Sequence, residues 1–218
     1  MGLFPSLPAG PSGSWTRTRR APALILMSAA MTHFEYIFVA VSIVLSFTIL
    51  RLLDAMPSAF SAARGYWVHA VWVLFLLYSC AAFWWLNWFN RELDSLSFRY
   101  FLFLLVAPAT LYLSATALVS AAPATVSSWR EHFFLHRRGF FLGFLVYISL
   151  LSINSWVTFE VSMRHPMRAW QAFLVLLFGC GASMSSERAQ RRIAAVAAVC
   201  LALVLGFALA GRIQLSFD

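Results

Sequence analysis

Lysine is missing from this sequence: all 16 basic residues among its 218 are arginine. Charge of either sign is scarce, at 11% of residues, with 8 acids against the 16 arginines. A soluble domain is about a quarter charged, so a chain this poor in charge cannot dress itself for water. The uniform choice of arginine, together with abundant Ala, Leu and Val, reads as genome composition. The arginines fall one to three to a loop, which argues against a nucleic-acid patch, and no nucleic-acid partner is expected. Anionic lipid headgroups are the expected use of the net charge of +8.

Cysteine is nearly missing as well. Cys80, Cys180 and Cys200 have no CxxC spacing and all fall inside apolar runs. That pattern excludes a disulfide framework and a zinc site, and the three read as small buried apolar residues. No GxSxG, P-loop, GxGxxG or acid pair of enzymatic spacing occurs. No acid sits in the middle of an apolar run, which weakens a proton relay. Glu35, Asp54 and Glu160 lie near run ends, where a charge is tolerated, and Arg51 and Asp54 are spaced to pair across one helical turn.

What the chain has in quantity is apolar length. It is 61% hydrophobic, with a mean hydropathy of +0.78. A helix needs about 20 apolar residues to cross roughly 30 Å of hydrocarbon, so six crossings take about 120 residues and leave short loops. Long unbroken runs favour helices over the alternating segments of a β-barrel. The runs predict spans at 34–53, 66–88, 101–120, 140–158, 167–184 and 193–211, of which the fifth is the shortest. Tyr66 and Trp67 at one end of the second span face Trp84, Trp85 and Trp88 at the other, as suits rings at headgroup level. The expected fold is all-α: a polytopic transmembrane helix bundle of about six spans over residues 32–218.

Residues 1–31 differ. They are rich in Pro, Gly and Ser, and carry Arg17, Arg19 and Arg20 before an apolar stretch too short to span. Three readings stay open: an extension from a mis-assigned start ahead of Met31, a signal-like segment, or a disordered tail.

Arginines in alternate loops set the expected orientation. Arg51 and Arg64, Arg130, Arg137 and Arg138, and Arg188, Arg191 and Arg192 lie on one side. Arg91, Arg99, Arg164, Arg168 and Arg212 lie on the other. The richer side is expected in the cytoplasm, although the three arginines of the N-terminal segment would level the counts.

Polar residues inside the runs are the candidate site, because in lipid each asks for a partner or a cavity. Ser42 and Ser46 share a face of the first span, and His69 and Asn87 lie in the second. Thr110 and Ser114 follow Pro108 in the third, and Ser152 and Asn154 lie in the fourth. Two readings compete: convergence on one polar core or conduction path, or local bonds to the helices' own backbones. The histidines are His33, His69, His132, His136 and His165. His132 and His136 sit one turn apart, the spacing of a two-ligand metal site. With Phe133, Phe134 and Leu135 between them and Arg137 and Arg138 following, a basic interfacial segment is the better reading, and no metal and no cofactor is expected.

The sixth span sets Ala194, Ala198, Ala202, Gly206 and Ala210 at every fourth position, a small-residue stripe that invites close helix packing. Gly139 with Gly143, and Gly179 with Ser183, repeat that spacing more briefly. Packing inside the monomer and a homo-oligomer seam are both open.

From Met31 onward, FEYIFVAVSIVLSFTILRLLDA, then YWVHAVW and FWWLNW, resembles a group of small bacterial multi-span membrane proteins with no assigned activity. The resemblance covers roughly the first three spans. It implies a start at Met31 and a bacterial inner-membrane location, and carries no substrate, cofactor or catalytic residue. The leading expectation is a non-enzymatic scaffold or subunit acting through helix association, with the bilayer, a second copy or a membrane protein as partner. A small-solute transporter or channel is the alternative, followed by a membrane enzyme built on histidine.

Overall fold

The computed structural model of the protein describes residues 33–88, 97–157, 162 and 164–210, apart from the side chains of His33 and Trp88. Glu160, Arg91 and Arg212 therefore lie outside the described residues, as does the N-terminal segment. Six helices follow one another: α1 (His33–Ala59), α2 (Trp67–Trp88), α3 (Phe98–Leu118), α4 (Trp129–Val157), α5 (Pro166–Ser183) and α6 (Glu187–Leu209). A single 3-10 turn, Pro123–Thr125, lies between α3 and α4. The all-α bundle is as the apolar runs predict.

Five helices are long and apolar enough to cross a membrane, and the protein is a polytopic helical membrane protein. The exception is α5. Its 18 residues rise about 27 Å, just short of the hydrocarbon thickness, and its first two turns carry Arg168 and Gln171.

Several helices begin before the apolar runs that announce them. α4 starts eleven residues ahead of its run, where the Ser128 hydroxyl accepts from the Glu131 amide at 3.4 Å. α3 is capped by Ser97, which accepts from the Tyr100 amide, and α6 by Ser186, which accepts from the Ala189 amide. Such caps satisfy amides that the helix leaves orphaned, so a polar first turn extends into the interface at little cost. At α5 the cap is His165, whose Nδ1 accepts from the Met167 amide, followed by Pro166 at the first helical position.

The helices alternate in direction, so α1 and α3 run parallel and meet side by side. α4 packs on α3 and α5, and α2 touches α1, α3, α4 and α6. Hydrophobic force does not draw helices together in lipid, so close fit must do so. Gly143 lets α4 approach α3: a Cβ there would come within 2.5 Å of the Ser114 hydroxyl. One turn earlier, a Cβ on Gly139 would meet the Ala117 methyl at 3.3 Å. Gly181 of α5 lies flat against the Phe141 ring, whose Cζ would be 2.6 Å from an added Cβ. Gly179, by contrast, has open space where its Cβ would be, and Ser183 is exposed.

Rings fill the space between α2, α4 and α5. Phe144 stacks on Phe178 with centroids 4.0 Å apart and planes 9° apart. Trp72 meets Phe141 edge-on at 5.1 Å, and Phe75 meets Phe144 in the same manner at 5.6 Å. These rings are buried in the interior of the bundle. Trp67, Trp84 and Trp85 are exposed, as headgroup-level rings would be, while Tyr66 is buried against Phe133 and Phe134.

Candidate functional site

The predicted polar residues are distributed along the whole bundle. Ser46 is exposed and donates to the Ser42 carbonyl at 2.7 Å. Thr110 donates to the Ala107 carbonyl and Ser114 to the Thr110 carbonyl, at 2.7 and 2.8 Å. Ser152 donates to the Ile148 carbonyl at 2.9 Å. In each case a hydroxyl returns to its own helix three or four residues back, the local option open to such side chains. Asn87 donates to the Phe83 carbonyl at 2.7 Å and accepts from the Tyr100 hydroxyl at 3.3 Å, tying α2 to α3. Asn154 is half-buried near the end of α4.

His69 reaches farthest. It is fully buried, its Nε2 lies 3.0 Å from the Leu118 carbonyl, and its ring stacks on Trp129 at 4.4 Å. A carbonyl only accepts, so Nε2 holds the proton and donates it. His69 thereby ties the last turn of α3 to the first turns of α2 and α4. Nδ1 is buried without a hydrogen-bond partner. Trp129 in turn meets His132 edge-on at 5.3 Å, and His132 lies 4.4 Å from His136. His136 Nδ1 is 3.1 Å from the His132 carbonyl, so the His136 ring is engaged with its own helix, while His132 Nε2 is buried without a hydrogen-bond partner. The described residues hold no group of three metal-ligating side chains.

Two clusters escaped sequence reasoning. Gln190 of α6 is fully buried and donates from Nε2 to the Gly181 and Met184 carbonyls, at 2.9 and 2.6 Å, closing the end of α5. At the opposite end of the bundle, Arg168 Nη1 donates to the Ser152 carbonyl, the Ser155 hydroxyl and Gln171 Oε1, all within 3.1 Å. Both satisfy carbonyls near a helix C-terminus. Arg64 does the same for the connection after α3, donating to the Ala124 carbonyl at 2.8 Å. Arg51 also turns to a carbonyl, that of Val119 at 3.2 Å, rather than to Asp54. Glu187 pairs with Arg130 at 2.6 Å and with Arg191 at 2.7 Å.

The stripe on α6 divides. Ala194 is fully buried and Ala198 half-buried, whereas Ala202, Gly206 and Ala210 are exposed. A Cβ on Gly206 would meet nothing within 4 Å. The buried face runs instead through Gln190, Ile193, Ala194, Ala197 and Leu201. The cause is geometric: at 3.6 residues per turn, each step of four rotates a further 40° or so, and four steps sweep about 160°. Cys80 is buried as expected, while Cys180 is exposed and Cys200 half-buried.

Comparisons with protein-family models, curated proteins and solved structures found no match.

Proposed function

We propose that this protein is a non-enzymatic scaffold or assembly subunit of a bacterial inner membrane, acting through helix association. The observation that carries this reading is the contrast between its middle and its flanks. The interior is filled by stacked rings, and the hydroxyls that would line a solute path return to their own helices. The flanks are open: in the apolar stretches of α6 and α1 only 22% and 28% of residues are buried, against 56% in α2. Past Leu201, α6 presents Ala202, Gly206 and Ala210 outward, small residues that let a helix of another chain approach closely. The arginine-rich end, with Arg51, Arg64, Arg130, Arg137, Arg138, Arg188, Arg191 and Arg192, faces the cytoplasm in this reading.

Intact-mass measurement of the full chain, released from its native membrane with its lipid, tests the proposal. A second copy or a distinct membrane subunit retained by the wild type and lost on Gly206→Leu supports it. A monomer that retains a small solute would overturn it in favour of transport.

A further inference from the structure

We propose that the cleft between α1 and the end of α3 is a binding site for a phospholipid whose headgroup carries both a phosphate and a primary ammonium, the phosphatidylethanolamine class. The cleft encloses about 210 Å³ and is lined by Phe47, Leu50, Arg51 and Asp54 of α1 and by Tyr112 and Ser120. That is below the roughly 300–1,000 Å³ of sites for drug-sized ligands, and suits a headgroup whose chains remain outside.

Its polarity is graded along the bundle. Phe47, Leu50 and Asp54 share one exposed face of α1, at successive turns. The two apolar side chains lie deeper, and the carboxylate lies nearer the helix end. Arg51 turns from this face toward α3, where Nη2 donates to the Val119 carbonyl at 3.2 Å. Its Nε is buried with no acceptor. The Ser120 oxygen accepts from the Ala122 amide at 3.2 Å, leaving its own proton to give.

Arg51 and Asp54 thus line one small cleft without pairing with each other, although their spacing on α1 would allow it. Among the described residues neither charge has a counter-charge, and one ligand of mixed charge supplies both. A phosphate accepts from Arg51 and Ser120, and a primary ammonium donates to Asp54. Phosphatidylglycerol offers Arg51 the same phosphate, but its neutral glycerol supplies no cation for Asp54. Phosphatidylcholine has the right charges, but its quaternary ammonium has no proton to donate. The acyl chains follow Phe47 and Leu50 toward the bilayer middle.

The test uses the purified full-length protein in detergent, with defined dioleoyl lipids added in turn and bound lipid read by native mass spectrometry. Wild type should retain phosphatidylethanolamine over phosphatidylglycerol and phosphatidylcholine by roughly threefold to fivefold, the range of an interfacial ion pair. Asp54→Asn should lower phosphatidylethanolamine retention to the level of phosphatidylglycerol and so erase the preference. Arg51→Gln should lower retention of all three lipids. Asp54 is exposed, so its substitution leaves the fold intact, and Asp54→Ala repeats the measurement independently. Equal retention of the three lipids by wild type would overturn the assignment. So would a preference that survives both Asp54 variants, or glycerophosphoethanolamine binding as tightly as the lipid, since the chains along Phe47 and Leu50 would then contribute nothing.

Discussion

His69 shows how much one polar side chain in an apolar helix can hold. Its Nε2 proton satisfies the Leu118 carbonyl, in the last turn of α3, where orphan carbonyls gather. Replacing it with Ala should leave that carbonyl unpaired and open a void beneath Trp129. A buried acceptor without a partner costs about 1–3 kcal/mol, and His69→Ala should lower the thermal midpoint accordingly. His69→Gln, whose terminal amide can reach the same carbonyl, should recover much of the loss, and His69→Asn, one bond shorter, less of it. Thermal unfolding of the three purified variants checks the order. Gly181 tests packing in the same way. With the Phe141 ring where its Cβ would lie, Gly181→Ala should cost about 1–3 kcal/mol as an overpacked contact, whereas Gly179→Ala, facing open space, should be close to neutral.

At the scale of the helix, sequence reading succeeded where apolarity decides and fell short where hydrogen bonds or rotation do. Apolar runs located all six helices, since a crossing of hydrocarbon demands length and little else. They placed the start of α4 too late, because capping by Ser128 extends a helix through WREHFFLHRR, which is not apolar. In sequence the arginines point to orientation, to lipid headgroups and, at Arg51, to a pair with Asp54. The roles of Arg51, Arg64 and Arg168 as donors to carbonyls depend on which helix ends lie nearby, which no spacing reveals. The polar residues were legible as candidates, and the local alternative, hydroxyls bonded to their own backbone, is what the helices adopt at Ser46, Thr110, Ser114 and Ser152. The interior of stacked rings went unnoticed because Trp72, Phe75, Phe144 and Phe178 are ordinary apolar residues in sequence and become a cluster only when α2, α4 and α5 meet.

The same rotation sets a prediction for α6. Leu201 lies on the buried face at 9% exposure, and Gly206 points outward. In the isolated chain Leu201→Ala should therefore be the harsher change, costing about 2–3 kcal/mol at the low end of large-to-small substitutions. Gly206→Leu should leave the monomer's unfolding within about 0.5 kcal/mol of wild type. Its effect should appear instead in assembly, as loss of the retained partner. Measuring stability and assembly on the same preparations separates the two, and a Gly206→Leu chain that unfolds early while Leu201→Ala does not would overturn the assigned faces.

For the whole molecule, the two ends differ in chemistry more than the flanks do. At the end where α2, α4 and α6 begin, eight arginines meet Glu187, which engages two of them at 2.6 and 2.7 Å. Those exposed pairs contribute little stability, and they leave most of the positive charge unneutralised at one level of the bundle. Orientation in a membrane responds to that surplus, because loops rich in arginine are retained on the cytoplasmic side. Cysteines introduced at Ser185, at the arginine-rich end, and at Ser162, at the other, should then react with an impermeant thiol reagent from opposite faces. The native Cys180 is replaced by Ala to remove background. In intact cells Ser162→Cys should be labelled and Ser185→Cys should react only after the membrane is opened. Reversing the charge surplus supplies the stronger test, since substituting Arg188, Arg191 and Arg192 with Gln removes three arginines from one end without touching the buried face of α6. If the surplus sets orientation, a fraction of that variant should label in the inverted sense. Unchanged labelling would place control of topology elsewhere, in the apolar lengths of the helices themselves.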